Sequence, residues 1–289
     1  MIPDDLDAAR IAEALGPTRL DLRPELRAET GSTMDALADL ARAGMAEGGV
    51  LLAEHQQAGR GRLGRAWLAP AGTALMLSIL FRPSRAGLAP ERSGELSMLV
   101  GLAAIDALTP RLPKAARLAL KWPNDLLAEG SKLAGILAEA DWPAAASGPS
   151  HVIVGIGINV RQDAAALPEG ATSVAALHAA LGQAARPEQI DRGLLAVDLL
   201  RAVDRRHAAL LAGQGPRQEW AARLDTLGRQ VRARRGATLI QGHAEGLAED
   251  GALLIRLPDG RLERLSAGDV TLAPASGDAL TTDPPDATV

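Results

Sequence analysis

Two hydrophobic periods alternate along most of the chain. Helical spacing from about Asp5 to Leu15 predicts one helix within a lead-in segment, residues 1–29. Ser32-Thr33-Met34-Asp35 reads as a helix start, with Ser32 as cap and Asp35 three residues on, as in a capping box. Met34, Leu37, Leu40 and Ala41 continue that helix, and Gly48-Gly49 breaks it. Strands are predicted over Val50–Glu54, Thr73–Phe81, Leu118–Trp122, Leu133–Ala140 and His151–Val160. Pro123 stops the third of these, and Trp142–Pro149 reads as the turn joining the last two. Leu96, Leu99, Val100, Ala103 and Ala107 predict an amphipathic helix ending near Pro110, and Pro187 to about Leu224 reads as helical. Trp122, alternating with Leu118 and Leu120, reads as core, and Trp142 and Trp220 read as structural.

From Gly228 the texture changes to short β-like runs punctuated by glycine, with hairpin signals at Asp250-Gly251 and Asp259-Gly260. Three parts follow: residues 1–226 as the main domain, 227–274 as a small β domain, and 275–289 as a Pro/Asp/Thr-rich tail expected to be disordered.

Composition narrows the chemistry. The 289-residue chain has no cysteine, so disulfides, thiolate metal sites and a thiol nucleophile are excluded. Its five histidines are scattered without metal-ligand spacing. No apolar stretch reaches the ~20 residues needed to span a bilayer, and the acidic N-terminus lacks a secretory pattern. The expected location is the cytoplasm. A net charge of −4 with mixed signs does not resemble a nucleic-acid-binding surface.

Only three of the 31 basic residues are lysines: Lys114, Lys121 and Lys132. Arginine replaces lysine on ordinary surfaces, but its wide planar fork fits poorly where a compact ammonium must meet a single oxygen. Two of the three lysines flank Trp122-Pro-Asn124-Asp125. Asp125 has the chemistry to hold Mg²⁺ on phosphates; the same four residues are equally an ordinary turn. Gly59-Arg60-Gly61-Arg62-Leu-Gly-Arg65 must be a loop, because three glycines in six positions disfavour helix or strand. Its arginines suit phosphate oxygens, and alone it is as often a solvated turn. Arg65 reads as a surface or loop-bracing charge. Gly155-Ile-Gly157-Ile-Asn159 lacks the third glycine and following helix of a dinucleotide fingerprint, and suggests a strand that something approaches closely.

Taken together, Ser32-Thr33, Gln56-Gln-Ala-Gly-Arg60-Gly-Arg62 with Trp67, Lys121-Trp-Pro-Asn-Asp125, Lys132-Leu-Ala-Gly135-Ile and Gly155-Ile-Gly-Ile-Asn159 resemble the motif series of biotin–protein ligases. The resemblance runs from about Ser32 to Leu272. It implies an α+β fold, a mixed sheet with flanking helices like that of class II aminoacyl-tRNA synthetases, followed by an SH3-like barrel. It implies activation of biotin by Mg·ATP to biotinyl-5′-AMP, then transfer to a lysine of a biotin carboxyl carrier protein of acetyl-CoA carboxylase. By that resemblance Ser32, Thr33, Gln56, Gly135 and Trp67 hold biotin. Lys132, Arg60 and Arg62 are catalytic, the two arginines also serving the nucleotide with Asn124 and Asn159, and Asp125 meets Mg²⁺. Met34 departs from the asparagine common at that position. About thirty residues before Ser32 imply no DNA-binding role, and the assembly expected is a monomer or homodimer. The alternatives are a lipoate–protein ligase of the same fold, to which Ser32 and Gln56 would be useless, and a non-catalytic biotin or adenylate sensor.

Overall fold

A seven-stranded mixed sheet carries the cleft. Its strands are β1 (Arg23–Thr30), β2 (Gly49–Gln56), β3 (Ala74–Phe81), β4 (Leu118–Lys121), β5 (Asp125–Ala128), β6 (Ser131–Asp141) and β7 (His151–Asn159). They lie in the order β1-β2-β3-β7-β6-β5-β4. The structure is a computed structural model and describes residues 6–144, 147–235, 238–266 and 268–272. Helix α1 (Ala8–Leu15) precedes β1, and α2 (Thr33–Arg42) links β1 to β2 as a crossover, so those two strands run parallel. All other neighbours in the sheet are antiparallel.

Period 2 divides the apolar residues between two faces. Leu51, Leu80 and Ile153 pack under Met34, Leu37 and Ala41 of α2. Leu52, Leu77, Ile79, Val154 and Ile156 face the main core, built with α3 (Glu95–Leu108) and α5 (Arg192–Leu211). The short α4 (Val174–Ala180) and α6 (Arg217–Arg223) complete the helices.

Four differences from the sequence expectations have physical causes. β1 falls inside the lead-in, where Arg23, Glu25, Arg27 and Glu29 alternate with Pro24, Leu26, Ala28 and Thr30, a weak face of which Leu26 alone packs on the core among the described residues; the charges suit an edge strand. β5 begins directly after the Pro123 turn and is only four residues long. The helix predicted around Leu99 exists, but it is buried all round except at Ser97 and Asp106, because the sheet and α5 sandwich it. Trp142 is not structural, since its side chain is 54% exposed. Trp122 and Trp220 are core, and Trp220 presses on Gly101, where a Cβ would stand 2.5 Å from the indole.

The C-terminal unit is a five-stranded antiparallel sheet of SH3-like type: β8 (Gln230–Arg235), β9 (Thr238–Leu247), β10 (Leu253–Arg256), β11 (Leu262–Leu265) and β12 (Asp269–Leu272), ordered β11-β10-β9-β8-β12. Both predicted hairpins form, with Gly251 and Gly260 at φ near +85°. The unit docks through Trp122, whose indole N–H donates to the Gly251 carbonyl at 3.0 Å while its backbone N–H donates to Thr226 Oγ1 at 2.9 Å. The tail expected to be disordered lies outside the described residues. Among the described residues no helix is long and apolar enough to cross a membrane.

Arg192 is the largest fully buried side chain and forks onto Glu54 of β2, 2.8 Å to each oxygen. This pair clamps the strand that ends in Gln56 to α5. Glu54→Ala removes the bidentate partner of a buried guanidinium and is expected to cost about 3–5 kcal/mol in urea unfolding; a loss under about 1 kcal/mol, the level of a surface pair, would show that the clamp is dispensable.

Candidate functional site

Ser32, at the start of α2, accepts the Met34 N–H at 3.3 Å. Asp35 does not complete the capping box; its carboxylate turns outward to Arg60. The next residue, Thr33, ties α2 to β2: its backbone N–H (2.7 Å) and hydroxyl (3.1 Å) reach Gln56 Oε1. With the Thr33 proton committed there, Thr33 Oγ1 accepts from Ser78 Oγ at 2.8 Å. Gln56 Nε2 donates one N–H to Met76 Sδ at 3.3 Å; Thr33 keeps acceptor capacity and Gln56 keeps one amide N–H, so the cluster suits a ligand group that has both a donor and an acceptor. Ser78 went unnoticed in the sequence, although it is the lone polar residue in the buried strand Ala74-Leu-Met-Leu-Ser-Ile-Leu-Phe81.

Beyond this cluster the cleft floor is β7 and β6. Trp67 lies flat on it: a Cβ at Gly157 would stand 2.4 Å from the indole, and one at Gly135 3.3 Å. Glycine there lets an aromatic plane lie against the strands. Among the described residues the indole N–H has no hydrogen-bond partner. Gly155 leaves room instead for Met34, whose Sδ would be 2.8 Å from a Cβ at that position.

Lys132 closes the far end. Its backbone N–H donates to Gly170 O at 2.7 Å and its carbonyl accepts the Thr172 N–H at 2.9 Å, so a loop pins this residue just before the β5–β6 register shift. The ammonium stands 2.7 Å from Asp125 Oδ1 and 5.8 Å from the Trp67 ring centre. This contact uses one lone pair of the buried Oδ1, and a carboxylate oxygen has a second.

The Gly59–Arg65 loop is a flap. Trp67 N–H closes on Gly59 O at 2.8 Å and Gly61 N–H on Arg65 O at 2.7 Å. A Cβ at Gly59 would meet the Trp67 carbonyl at 2.3 Å, so the hinge needs glycine. Arg60 is tethered outward, to Asp35 at 2.5 Å and to Glu139 at 2.9 and 3.1 Å. Arg62 points inward and donates to Gly268 O of the C-terminal unit at 3.3 Å. Burial lowers the Arg62 pKa, with the Asp125 charge opposing. Arg65 also lines the cleft.

The structure thus gathers Ser32, Thr33, Gln56, Arg60, Arg62, Trp67, Asn124, Asp125, Lys132 and Gly135 around one cleft. Asn124 braces its wall, donating to Ile136 O at 2.8 Å. Asn159 is not brought to the cleft. It is 6% exposed, its amide N–H donates to Thr172 O and its Oδ1 accepts from Gln162.

The biotin/lipoate A/B protein ligase family model matches residues 28–159, and the biotin protein ligase C-terminal domain model matches residues 226–272. The chain is 40% identical over 218 residues to the biotin–[acetyl-CoA-carboxylase] ligase of Paracoccus denitrificans, covering 73% of this chain and 85% of that protein. It is 38% identical over 247 residues to the ligase of the same name from Mycobacterium tuberculosis, covering 84% and 86%. The structure of Aquifex aeolicus biotin protein ligase in complex with biotin and ATP superposes with a TM-score of 0.64 at 27% identity, covering 86% of this chain and 98% of that one. The chain belongs to the biotin/lipoate A/B protein ligase family. Within it, the paired catalytic and C-terminal matches are those of the biotin protein ligases.

The Arg60 tether is solvent-exposed on all three side chains, so it is worth little per pair. Asp35→Asn combined with Glu139→Gln is expected to speed amide exchange across residues 59–66 by about three- to tenfold. Unchanged exchange would mean that backbone contacts alone hold the flap.

Proposed function

We propose that this chain activates biotin with ATP to biotinyl-5′-AMP and then transfers the acyl group to a lysine of a biotin carboxyl carrier protein. The observation that carries this is the layout of one cleft: a donor-and-acceptor cluster at one end, a glycine floor under Trp67, and the Lys132 ammonium at the other end. The ureido ring of biotin offers two N–H donors and one carbonyl acceptor, the complement of Thr33, Gln56 and the Ser32 hydroxyl. Its apolar bicyclic body suits the glycine floor that the Trp67 indole now covers, with the indole lifting to lie over the bound ring and the side chain running toward Lys132.

In the first step an oxygen of the biotin carboxylate bonds to the α-phosphorus. The bond from that phosphorus to the leaving oxygen breaks, and its electron pair departs with pyrophosphate. Two anions must meet for this to happen. Lys132 lies where it can touch both, and its charge counts most as negative charge concentrates between them. Arg62 adds a second cation from the flap. In the second step the carrier amine attacks the acyl carbon, the mixed-anhydride bond breaks, and AMP leaves as the amine loses a proton.

Among the described residues no group of three or more His, Asp or Glu side chains gathers to hold a metal alone. A single carboxylate with an open acceptor position fits Mg²⁺ that arrives on the nucleotide phosphates, where Asp125 would hold it. Bound there, the ion neutralises phosphate charge. A cytoplasmic setting is where ATP and carrier protein meet.

Biotin with Mg·ATP is expected to release pyrophosphate and leave a tightly held adenylate, while lipoate, which lacks the ureido ring, does neither. Equal turnover of the two acids would defeat the biotin assignment. Lys132→Ala is expected to slow adenylate formation by about 10²–10³-fold with the circular dichroism spectrum intact. Wild-type rates in that variant would remove the role given to the ammonium.

A further inference from the structure

Lys121 stands on β4, the last strand of the sheet, directly across from Asp125 on β5. Cross-strand partners share a face of the sheet, so Lys121 and Lys132 approach the same carboxylate from opposite sides. That carboxylate pairs with Lys132 at 2.7 Å through one oxygen. Lys121 makes no ion pair of its own among the described residues, although it is half-buried. Burial pushes its pKa below the ordinary lysine value; Asp125 opposes this, while Lys132 and Arg65 add repulsion. Lys121, Lys132 and Arg62 therefore share the charge of one carboxylate. Concentrated charge of one sign in a partly desolvated place is unfavourable by itself and attracts a polyanion.

The sheet sets these groups in a line. The glycine floor lies on β7 and β6, Lys132 on β6, Asp125 on β5 and Lys121 on β4, and adjacent strands are about 4.8 Å apart. The substrates of biotin activation have a matching order: ring, carboxylate, α-phosphate, leaving pyrophosphate. With the acyl oxygen at Lys132, the leaving group extends over β5 toward β4. The adenosine end is uncharged and has no need of a cation there.

We propose that Lys121 is a further catalytic residue of biotin activation, one that binds the β-phosphate of ATP and stabilises the charge gathering on pyrophosphate as its bond to the α-phosphorus breaks. Lys121 keeps its proton throughout and acts through charge and hydrogen bonds. Its work ends when pyrophosphate leaves, so it takes no part in acyl transfer. A compact ammonium suits this position better than a planar fork, in keeping with a lysine retained in a chain that otherwise uses arginine.

The inference rests on the biotin-activation reading, and separating the half-reactions tests the two independently. Biotin-dependent exchange of labelled pyrophosphate into ATP by the wild-type enzyme checks the reading itself. Lys121→Gln is expected to cut that exchange about 10²-fold and to raise the KM for pyrophosphate. Transfer from supplied biotinyl-5′-AMP to the carrier protein is expected to stay within about twofold of wild type, and the calorimetric affinity for that adenylate to remain unchanged. Lys121→Arg is expected to fall between wild type and Lys121→Gln. Equal loss of both half-reactions in Lys121→Gln would assign the lysine a structural role and overturn the proposal. So would an unaffected exchange rate, or a Lys121→Arg enzyme no better than Lys121→Gln.

Discussion

The Asp125 carboxylate is the electrostatic pivot of the cleft. Its 2.7 Å approach to Lys132 holds a flexible four-carbon side chain at the end of the glycine floor. Backbone supports this aim from both sides. The register shift in β5–β6 is adjacent to Lys132, and the loop at Gly170 and Thr172 ties its N–H and carbonyl. One negative charge thus sits among the Lys132, Lys121 and Arg62 cations, which would otherwise repel one another. The site is prepared for an anion before one arrives, and such preorganisation is what makes charge stabilisation effective in a transition state.

The same logic extends to the glycine-arginine loop beside the cleft. The flap carries two arginines with opposite duties. Arg60 faces outward to Asp35 and Glu139, while Arg62 faces inward and reaches the Gly268 carbonyl. The C-terminal unit is therefore connected to the cleft at the flap as well as through the Trp122–Gly251 contact. A displacement of either unit is felt at Arg62. This gives the small barrel a physical connection to the cleft, although among the described residues none of its side chains lines it.

Much of this was legible in the sequence because the chemistry needs unusual residues in fixed places. Glycines in a strand, a glycine-arginine loop and rare lysines stand out against an Ala/Leu/Arg background. The missing parts had no such contrast. β1 alternates charges with Pro24, Leu26, Ala28 and Thr30, too weak an apolar face to stand out, and β5 is too short to show a period. Glu139 and Asp35 matter only through Arg60, a contact that joins residues 79 and 25 positions apart. Ser78 was visible as a polar residue in an apolar strand, yet its role depends on where the Thr33 proton goes. Asn159 shows the opposite case. Its motif position pointed to a ligand, whereas the fold uses both ends of its amide internally.

The central claim is that Lys132 is poised over the forming mixed anhydride, with the ureido ring held at the Thr33–Gln56 end. The most direct test is a crystal structure with a non-hydrolysable mimic of biotinyl-5′-AMP. The account predicts Lys132 Nζ within about 3.2 Å of an oxygen at the acyl–phosphoryl junction, the Trp67 ring over the bicycle, and the ureido group bonded to Thr33 and Gln56. A Lys132 amine still engaged with Asp125 alone, with the acyl–phosphoryl junction elsewhere in the cleft, would contradict it.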